Sequence, residues 1–373
     1  MLSFAIVVPN LNQSHFLPDA LESLKSQTSP FNLGIMDGGS SDDFDKVVNR
    51  YSDIITFFRS AKDHGQAAAI KEGKKKVPGD IVAWLNADDY YFPGTLNKVA
   101  ACFEQHPELD VIYGDAIHVS PEGFFLSYFP SIQDFSANDL TRNCFICQPA
   151  CFVRRTAYEK VGGVDPTLHY TMDWDLWCRL SDSGAKFYYL NEVLAAVRYY
   201  PGTKTLSGNW KRYQEIWRIE RKYGHRFFPR SWLGFYLFDL NFRNRKNLFE
   251  KYSFVLLNYL RLIKNRLINK NDFRKDLIKI NYGFQSWESI VKGKGIIHIP
   301  WYGTKEWTRL ILKIYPLNDR YCIKINGREC EKVLYRNGHF IVDLPKLENP
   351  HREISIESLE LNHWKLLEFY WEV

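Results

Sequence analysis

The stretch Ile81-Val82-Ala83-Trp84-Leu85-Asn86-Ala87-Asp88-Asp89 passes from a continuous apolar run into an amide and two carboxylates. An apolar run without polar alternation reads as a strand buried on both faces, and the polar tetrad as the point where the backbone leaves the sheet. Two chemistries suit Asn86, Ala87, Asp88 and Asp89 at such a point. Hard oxygen ligands there suit Mg²⁺ or Mn²⁺ bridging a diphosphate. Asp88 or Asp89 equally suits the cap of a following helix.

Three upstream segments repeat the arrangement. Phe4–Val8 reads as a buried strand ending at Pro9-Asn10, and Leu33–Met36 as a second ending at Asp37-Gly38-Gly39-Ser40. Ile54–Phe58 reads as a third, leading to Asp63-His64-Gly65-Gln66. Helical patterns lie between: Phe16–Lys25 carries Phe16, Leu17, Ala20, Leu21 and Leu24 on one face, Ser41 or Asp42 is placed to cap a helix, and Gln66–Lys75 follows the third strand. Strands and helices alternating every ~25 residues predict an α/β fold with a parallel sheet of βαβ units. Ligands of such sheets bind at the carboxyl ends of the strands, where all four polar clusters lie. No GxGxxG and no GxxxxGK[ST] accompanies them, which argues against a dinucleotide or P-loop site.

These pieces, taken in order and spacing, resemble a family 2 glycosyltransferase. They are Ile6-Val7-Val8-Pro9-Asn10-Leu11-Asn12-Gln13, Leu21-Glu22-Ser23-Leu24-Lys25-Ser26-Gln27-Thr28, Asp37-Gly38-Gly39-Ser40-Ser41-Asp42, Asp63-His64-Gly65-Gln66, Gly79-Asp80-Ile81 with the tetrad, and Asp173-Trp174-Asp175-Leu176-Trp177. The resemblance covers residues 1–206 and implies a Rossmann-like nucleotide-diphosphosugar transferase domain of the GT-A type. It implies a nucleoside-diphosphate sugar donor, with UDP-sugar as the default, and a hydroxyl acceptor on a glycan or a lipid-linked molecule. It further implies inversion by direct displacement, with Mn²⁺ or Mg²⁺ as cofactor.

The resemblance also assigns roles. Asp37 is expected to hydrogen-bond the base or ribose over a floor of Pro9 and Asn10, with Asp63, Gly65 and Gln66 closing the far side. Asp88 holds the last position of the family's metal motif and is the expected ligand. Asn86 stands where many relatives carry Asp, and Asp89 is expected to share the metal or orient the acceptor. Asp173 is the expected base, since Met172 replaces the first member of the usual acidic pair. Asp175, two residues on, would point elsewhere on a helix. Arg198-Tyr199-Tyr200 lacks the His that relatives often carry there, with Tyr200 nearest its place, while Arg198 or Lys204 is left to face the diphosphate.

The remaining chain divides by composition. Residues 207–281 are predicted helical, and 207–280 hold 18 Lys/Arg against 6 Asp/Glu, a local +12 within a chain of net +6. Interleaved with Trp, Phe, Tyr and Leu, this block suits an anionic membrane surface near a lipid-linked acceptor, or helices that brace the catalytic domain against the tail and expose their Lys/Arg to water. No nucleic-acid recognition motif accompanies the charge. Residues 282–373 turn to short β runs, with Asn326-Gly327 and Asn337-Gly338 as hairpin turns, and predict a small all-β, sandwich-like domain. Its Trp287, Trp301, Trp307, Trp364 and Trp371 suit either a core or a glycan surface.

Seven cysteines without framework spacing read as reduced thiols, and no apolar stretch reaches the ~18 residues of a membrane span. The expected location is therefore cytoplasmic, peripheral on the inner face of the plasma membrane. The reading is an enzyme of bacterial surface polysaccharide synthesis. Its rivals are a sugar-phosphate nucleotidyltransferase, which would want a Gly-rich basic loop where Asn10-Leu11-Asn12-Gln13 stands, and a non-catalytic glycan-binding scaffold with a decayed transferase domain.

Overall fold

Phe4–Asn10 forms strand β1, buried at every position because it is flanked on both sides by other strands. In the computed structural model it pairs in parallel with β2 (Phe31–Asp37) and with β4 (Ile81–Trp84), and β2 pairs in parallel with β3 (Phe57–Ser60). The structure describes residues 2–225 except 120, 122, 124, 130, 131, 201 and 209, and in the C-terminal part 290–292, 294–300, 309–315, 321–325, 328–330, 333–336, 339–343, 351–358 and 363–372. Two compact units result: Met1–His118 with Phe129–Glu250, and Val119–Tyr128 with Lys251–Val373.

The first unit carries the βαβ alternation. Helix α1 (Leu17–Lys25) follows β1, α2 (Phe44–Arg50) follows β2 and α3 (Gln66–Lys76) follows β3. Beyond β4 come β5 (Tyr90–Tyr91), α4 (Thr95–Gln105) and β6 (Val111–Val119). Strand β7 (Phe125–Tyr128) is grouped with the second unit. Then follow α5 (Ala137–Leu140), a 3₁₀ turn Gln148–Ala150, β8 (Cys151–Arg154), α6 (Arg155–Lys160), α7 (Met172–Asp182), β9 (Phe187–Arg198), α8 (Lys204–Ser207) and α9 (Trp210–Gly224).

The strand order is β3-β2-β1-β4-β8-β6-β9-β5, and its first four members pair in parallel. The parallel pairing expected of these strands holds, while β8 runs antiparallel to β4 and to β6 and β5 antiparallel to β9, so the sheet as a whole is mixed. Arg155 fixes the reversal. It follows β8 directly and its guanidinium donates to the carbonyls of Gly79 and Val77, which precede β4, so the end of β8 lies at the start of β4. Gly79 tolerates no side chain there: φ is +150° and a Cβ would lie 2.5 Å from the Ala5 nitrogen.

Two boundaries move for local reasons. Ile54 donates to the Tyr51 carbonyl in the turn that closes α2, so β3 starts at Phe57 rather than Ile54. The N-cap of α2 is Asp43, not Ser41 or Asp42. Ser41 N donates to Asn12 Oδ1 and Asp42 Oδ2 accepts from Ser14 N, so both are engaged in tethering the loop after β1.

Helix α9 opens the predicted basic segment, and its Tyr213, Ile216, Ile219 and Tyr223 join the first unit's core. Positions 226–281 of that segment lie outside the described residues. Among the described residues no helix is long and apolar enough to cross a membrane. All seven cysteines are free.

The second unit holds two antiparallel sheets. One runs β10 (Ile290–Lys292), β18 (His363–Glu372), β12 (Arg309–Tyr315), β16 (His339–Asp343), β15 (Val333–Arg336). The other runs β11 (Lys294–Pro300), β17 (His351–Ser358), β13 (Tyr321–Ile325), β14 (Arg328–Glu329). Ile325 pairs with Arg328 and Arg336 with His339, the registers expected on either side of the two Asn-Gly pairs.

Candidate functional site

Asp37 ends β2 with its side chain 0% exposed. Its Oδ1 accepts from Asn10 Nδ2 at 2.7 Å and from Ser40 Oγ at 2.5 Å. Its Oδ2 accepts from Gly39 N at 3.0 Å, Ser40 N at 2.9 Å and Ser60 Oγ at 2.7 Å. Burial works to raise its pKa, but the donors from Ser40, Ser60 and Asn10 outweigh it and hold the carboxyl below its ordinary range. Five protein donors fill the lone pairs of a carboxylate that solvent does not reach. Asp37, the residue expected at the base or ribose, staples the loops after β1, β2 and β3. Asn10, 5% exposed, belongs to the same staple through Asp37 and Ser40.

Leu11, Gly38 and Asp63 lie together beside that staple. A Cβ on Gly38 would lie 3.3 Å from Leu11 Cδ1 and 3.5 Å from Asp63 Oδ2, so the glycine lets both side chains close on the backbone. Leu11 is 57% exposed, a large apolar side chain left in solvent. Asp63 turns Gly65 N onto its Oδ1 at 2.8 Å and pairs with Arg59 at 3.5 Å. Gly65, at φ +100°, then leads into α3, whose first residue is Gln66.

Gln66 joins the acidic tetrad. Its Nε2 donates to Asn86 Oδ1 at 2.7 Å, and its Oε1 accepts from Lys204 Nζ at 2.7 Å. Asn86 Nδ2 donates in turn to Asp89 Oδ2 at 2.8 Å and to Gln148 Oε1 at 3.1 Å. The amide at 86 is explained by these two acceptors, since an aspartate would set a carboxylate against each. Asp89 is 2% exposed and takes a second bond from Arg198 N at 3.2 Å. Burial, then the charge of Asp88, pushes its carboxyl well above the usual range. Asp89, expected at the metal or the acceptor, is thus enclosed and bonded to Asn86 and Arg198.

Asp88 is half-buried at the strand end. Its Oδ2 accepts from Tyr200 OH at 3.1 Å, and Gln13 Nε2 donates to the same phenol at 3.3 Å. Burial raises the Asp88 carboxyl against the lowering effect of Tyr200. Tyr200 therefore faces Asp88 from the place expected of the missing His. Arg198 does not face outward. It is 3% exposed, forms an ion pair with Asp19, donates to the Asp88 carbonyl at 2.8 Å, and lies 4.6 Å from the Phe16 ring and 5.3 Å from that of Tyr90. Its charge is spent under the tetrad.

Asp173 is the second residue of α7, and its Oδ1 accepts from Trp174 N at 2.8 Å. Burial raises its carboxyl, with Lys204 and Arg212 opposing. Lys204 is lowered to about 8 by burial, against the pull of Asp173 and Glu215. Lys204 thus links the tetrad, through Gln66, to the neighbourhood of Asp173. Asp175 points the other way, into an ion pair with Arg179 at 2.7 Å.

Sequence reasoning missed Gln148, Asp19 and Glu215. Gln148 Nε2 donates to the Trp84 carbonyl at 2.6 Å, and its position before Pro149 and a buried strand was the available signal. Asp19 and Glu215 sit within amphipathic helices, where a carboxylate looks like solvated surface.

The site as a cation binder offers Asp88 as its open hard-oxygen donor. Among the described residues no group of three or more His, Cys, Asp or Glu could hold a metal ion. The donor set fits a divalent ion that shares its shell with substrate phosphates, as Mg²⁺ sites with one or two carboxylates do.

The model of the family described as "Glycosyl transferase family 2" matches residues 5–162. A PGL/p-HBAD biosynthesis glycosyltransferase of Mycobacterium bovis is 30% identical over 208 residues, 53% of this chain and 78% of that protein. An uncharacterized glycosyltransferase of Haemophilus influenzae is 28% identical over 208 residues, 54% and 70% respectively. Among solved structures, residues 1–349 of S. aureus TarS in complex with UDP-GlcNAc superpose with a TM-score of 0.51 at 17% identity, covering 75% of this chain and 79% of that one. That likeness is one of fold.

Proposed function

The chain belongs to glycosyltransferase family 2, and from that we propose that it moves a sugar from a nucleoside-diphosphate sugar to a hydroxyl of a glycan or lipid-linked acceptor, with inversion at the anomeric carbon. The observation that carries the reading is the chain Lys204–Gln66–Asn86, which joins the tetrad containing Asp88 to the surroundings of Asp173. Donor-side and acceptor-side groups thereby meet at the carboxyl ends of the strands.

In this reading the base and ribose lie beside Leu11, Gly38 and Asp63, on the floor that Pro9 and Asn10 form. A uridine nucleotide is the default, in keeping with the TarS complex that holds UDP-GlcNAc. Gly65, Gln66 and Ala87 border the diphosphate, and Lys204 supplies a positive charge to it. Asp88 would hold Mn²⁺ or Mg²⁺, whose charge offsets that of the leaving nucleoside diphosphate. Asp173 takes the proton of the acceptor hydroxyl as that oxygen bonds to the anomeric carbon and the bond to the diphosphate breaks. A positioned base supplies ~10²–10⁴ in rate.

The division at 206 and 281 is retained as a proposal, with α9 as a helix docked on the catalytic unit. Peripheral contact of 207–280 with an anionic inner membrane surface, and a role in surface polysaccharide synthesis, belong to the same reading. The test is release of nucleoside diphosphate from UDP- and GDP-sugars with Mn²⁺, comparing wild type with Asp88→Ala. Release that depends on Asp88 and on the ion supports the reading. No release from any donor favours the scaffold alternative, and release undiminished in Asp88→Ala or in EDTA removes the metal assignment.

A further inference from the structure

Helix α9 grips α7 at two points that straddle Asp173. At the first, Glu215 collects three successive backbone N–H groups. His169 N donates to Oε1 at 3.1 Å, and Tyr170 N and Thr171 N donate to Oε2 at 2.8 and 3.0 Å. The Thr171 hydroxyl donates to Oε2 as well, at 3.2 Å. Thr171 is the N-cap of α7 yet makes no side-chain cap, because that hydroxyl is turned to Glu215. At the second point, Tyr223 OH donates to Asp175 Oδ1 at 2.6 Å, and Arg179 holds the other oxygen at 2.7 Å.

We propose that Glu215 and Tyr223 are positioning residues that set Asp173 at the acceptor hydroxyl, so that the helix after the transferase motifs is part of the catalytic apparatus. The proposal rests on the reading of Asp173 as the base. Residues 171 and 175 are each two positions from Asp173, so fixing both fixes the first turn of α7 and the direction in which Asp173 leaves it. The hydrogen-bond requirement alone does not call for a carboxylate here. His169 is exposed and Tyr170 half-buried, so water reaches that side of the loop and can serve such donors. A charged acceptor shared by three consecutive N–H groups instead holds one loop geometry, and small misplacement of a reacting group costs up to ~10² in rate.

The test uses the full chain and the sugar nucleotide that wild type turns over best. Glu215→Gln keeps the shape and exchanges one acceptor oxygen for a donor, and Tyr223→Phe removes only a hydroxyl. We expect kcat to fall about tenfold or more in Glu215→Gln and about threefold in Tyr223→Phe, with the dissociation constant for UDP within about twofold of wild type in both. The acidic limb of kcat against pH should also move in Glu215→Gln, because the surroundings of Asp173 change. Those surroundings are Lys204 from α8, Arg212 from α9 and the thiols of Cys144, Cys147 and Cys151. A purely structural role would lower the active fraction without moving that limb.

Wild-type kcat in Glu215→Gln, or kcat and UDP affinity lost together, overturns the proposal. If Glu215→Gln does not fold, Tyr223→Phe decides by the same two readouts. Asp173→Asn separates this failure from that of the function. An active Asp173→Asn enzyme removes the base and the proposal with it, whereas an inactive one beside an unaffected Glu215→Gln removes the proposal alone.

Discussion

Replacing Asp37 by alanine separates a stapling carboxylate from a ligand-binding one. The side chain is 0% exposed and five donors end on it. After truncation the Ser40 and Ser60 hydroxyls can turn to other acceptors. Gly39 N, Ser40 N and the Asn10 amide are held by the backbone and by packing, and lose an ionised partner. The Asn10 amide is the stranded buried donor, at a cost of about 1–3 kcal/mol, while Gly39 N and Ser40 N, on an exposed and a half-buried residue, exchange their bonds for water at about 1 kcal/mol each, which gives a loss of about 3–5 kcal/mol. For a unit of this size that lowers the melting midpoint by roughly 6–20 °C. The sign of the pH dependence follows from the depressed Asp37 carboxyl. Its stabilisation is present above the unfolded-state pKa and fades as pH falls through the lower, folded one, so the difference between variant and wild type should narrow in acid. The assay is thermal melting by near-ultraviolet circular dichroism at pH 7.5 and at acid pH, beside calorimetric titration with UDP. A midpoint within about 1 °C of wild type together with abolished UDP binding would refute the staple and restore Asp37 as a nucleotide contact.

Asn86→Asp should reduce stability rather than improve metal binding, because the new carboxylate faces Asp89 Oδ2 and Gln148 Oε1 where an N–H now stands; a lower melting midpoint with Mn²⁺ affinity unimproved checks this. Asp173→Asn should cut transfer by at least ~10² with UDP affinity little changed, as measured by nucleoside diphosphate release and calorimetry. In wild type the acidic limb of the rate profile should lie above the ordinary aspartate range, since burial raises Asp173 and the base must be ionised to work. The alkaline limb should fall near the Lys204 value of about 8, where its charge is lost. Lys204→Arg should abolish that limb within the measured range, because a guanidinium stays charged beyond ~pH 12.

Legibility followed the reach of each physical signal. Strands β1, β2 and β4 were readable because burial on both faces forces an unbroken apolar run, as in Phe4–Val8 and Ile81–Leu85. The reversal at β8 was not, because it depends on Arg155 reaching carbonyls about 75 positions away, and no local period records that. The polar clusters at the strand ends were legible as a set, yet the division of labour inside them was not. Asp37 and Asp88 both end buried strands and look alike in sequence. One meets five donors and is enclosed, while the other meets Tyr200 from a loop more than a hundred positions later. The turn at Asp63 was legible because Gly65 and Gln66 mark the entry into α3. Glu215 was illegible because a helix's solvent face and its partner-facing edge carry the same residue types.

The charges around the tetrad then bear on how a metal ion would arrive. Asp89 is buried with its carboxyl pushed well up, Asn86 is neutral, Arg198 is engaged by Asp19, and a phenol stands beside Asp88 in place of an imidazole. One partly buried carboxylate is therefore the main anionic attraction the site offers. Hard divalent ions bound by a single carboxylate keep most of their water, and affinity rises only when substrate phosphates complete the shell. Binding of Mn²⁺ to the free protein should accordingly be weak, and UDP should strengthen it by at least about tenfold, with reciprocal strengthening of UDP by Mn²⁺ because the two affinities are linked. Lys204 gives part of the same compensation without an ion, so Lys204→Met should make UDP binding more dependent on Mn²⁺ than it is in wild type. Electron paramagnetic resonance of free Mn²⁺, recorded with and without UDP, measures the first effect, and calorimetry in EDTA the second. Tight Mn²⁺ binding to the nucleotide-free protein would contradict this account, since it would require a second ionised ligand that the tetrad does not present.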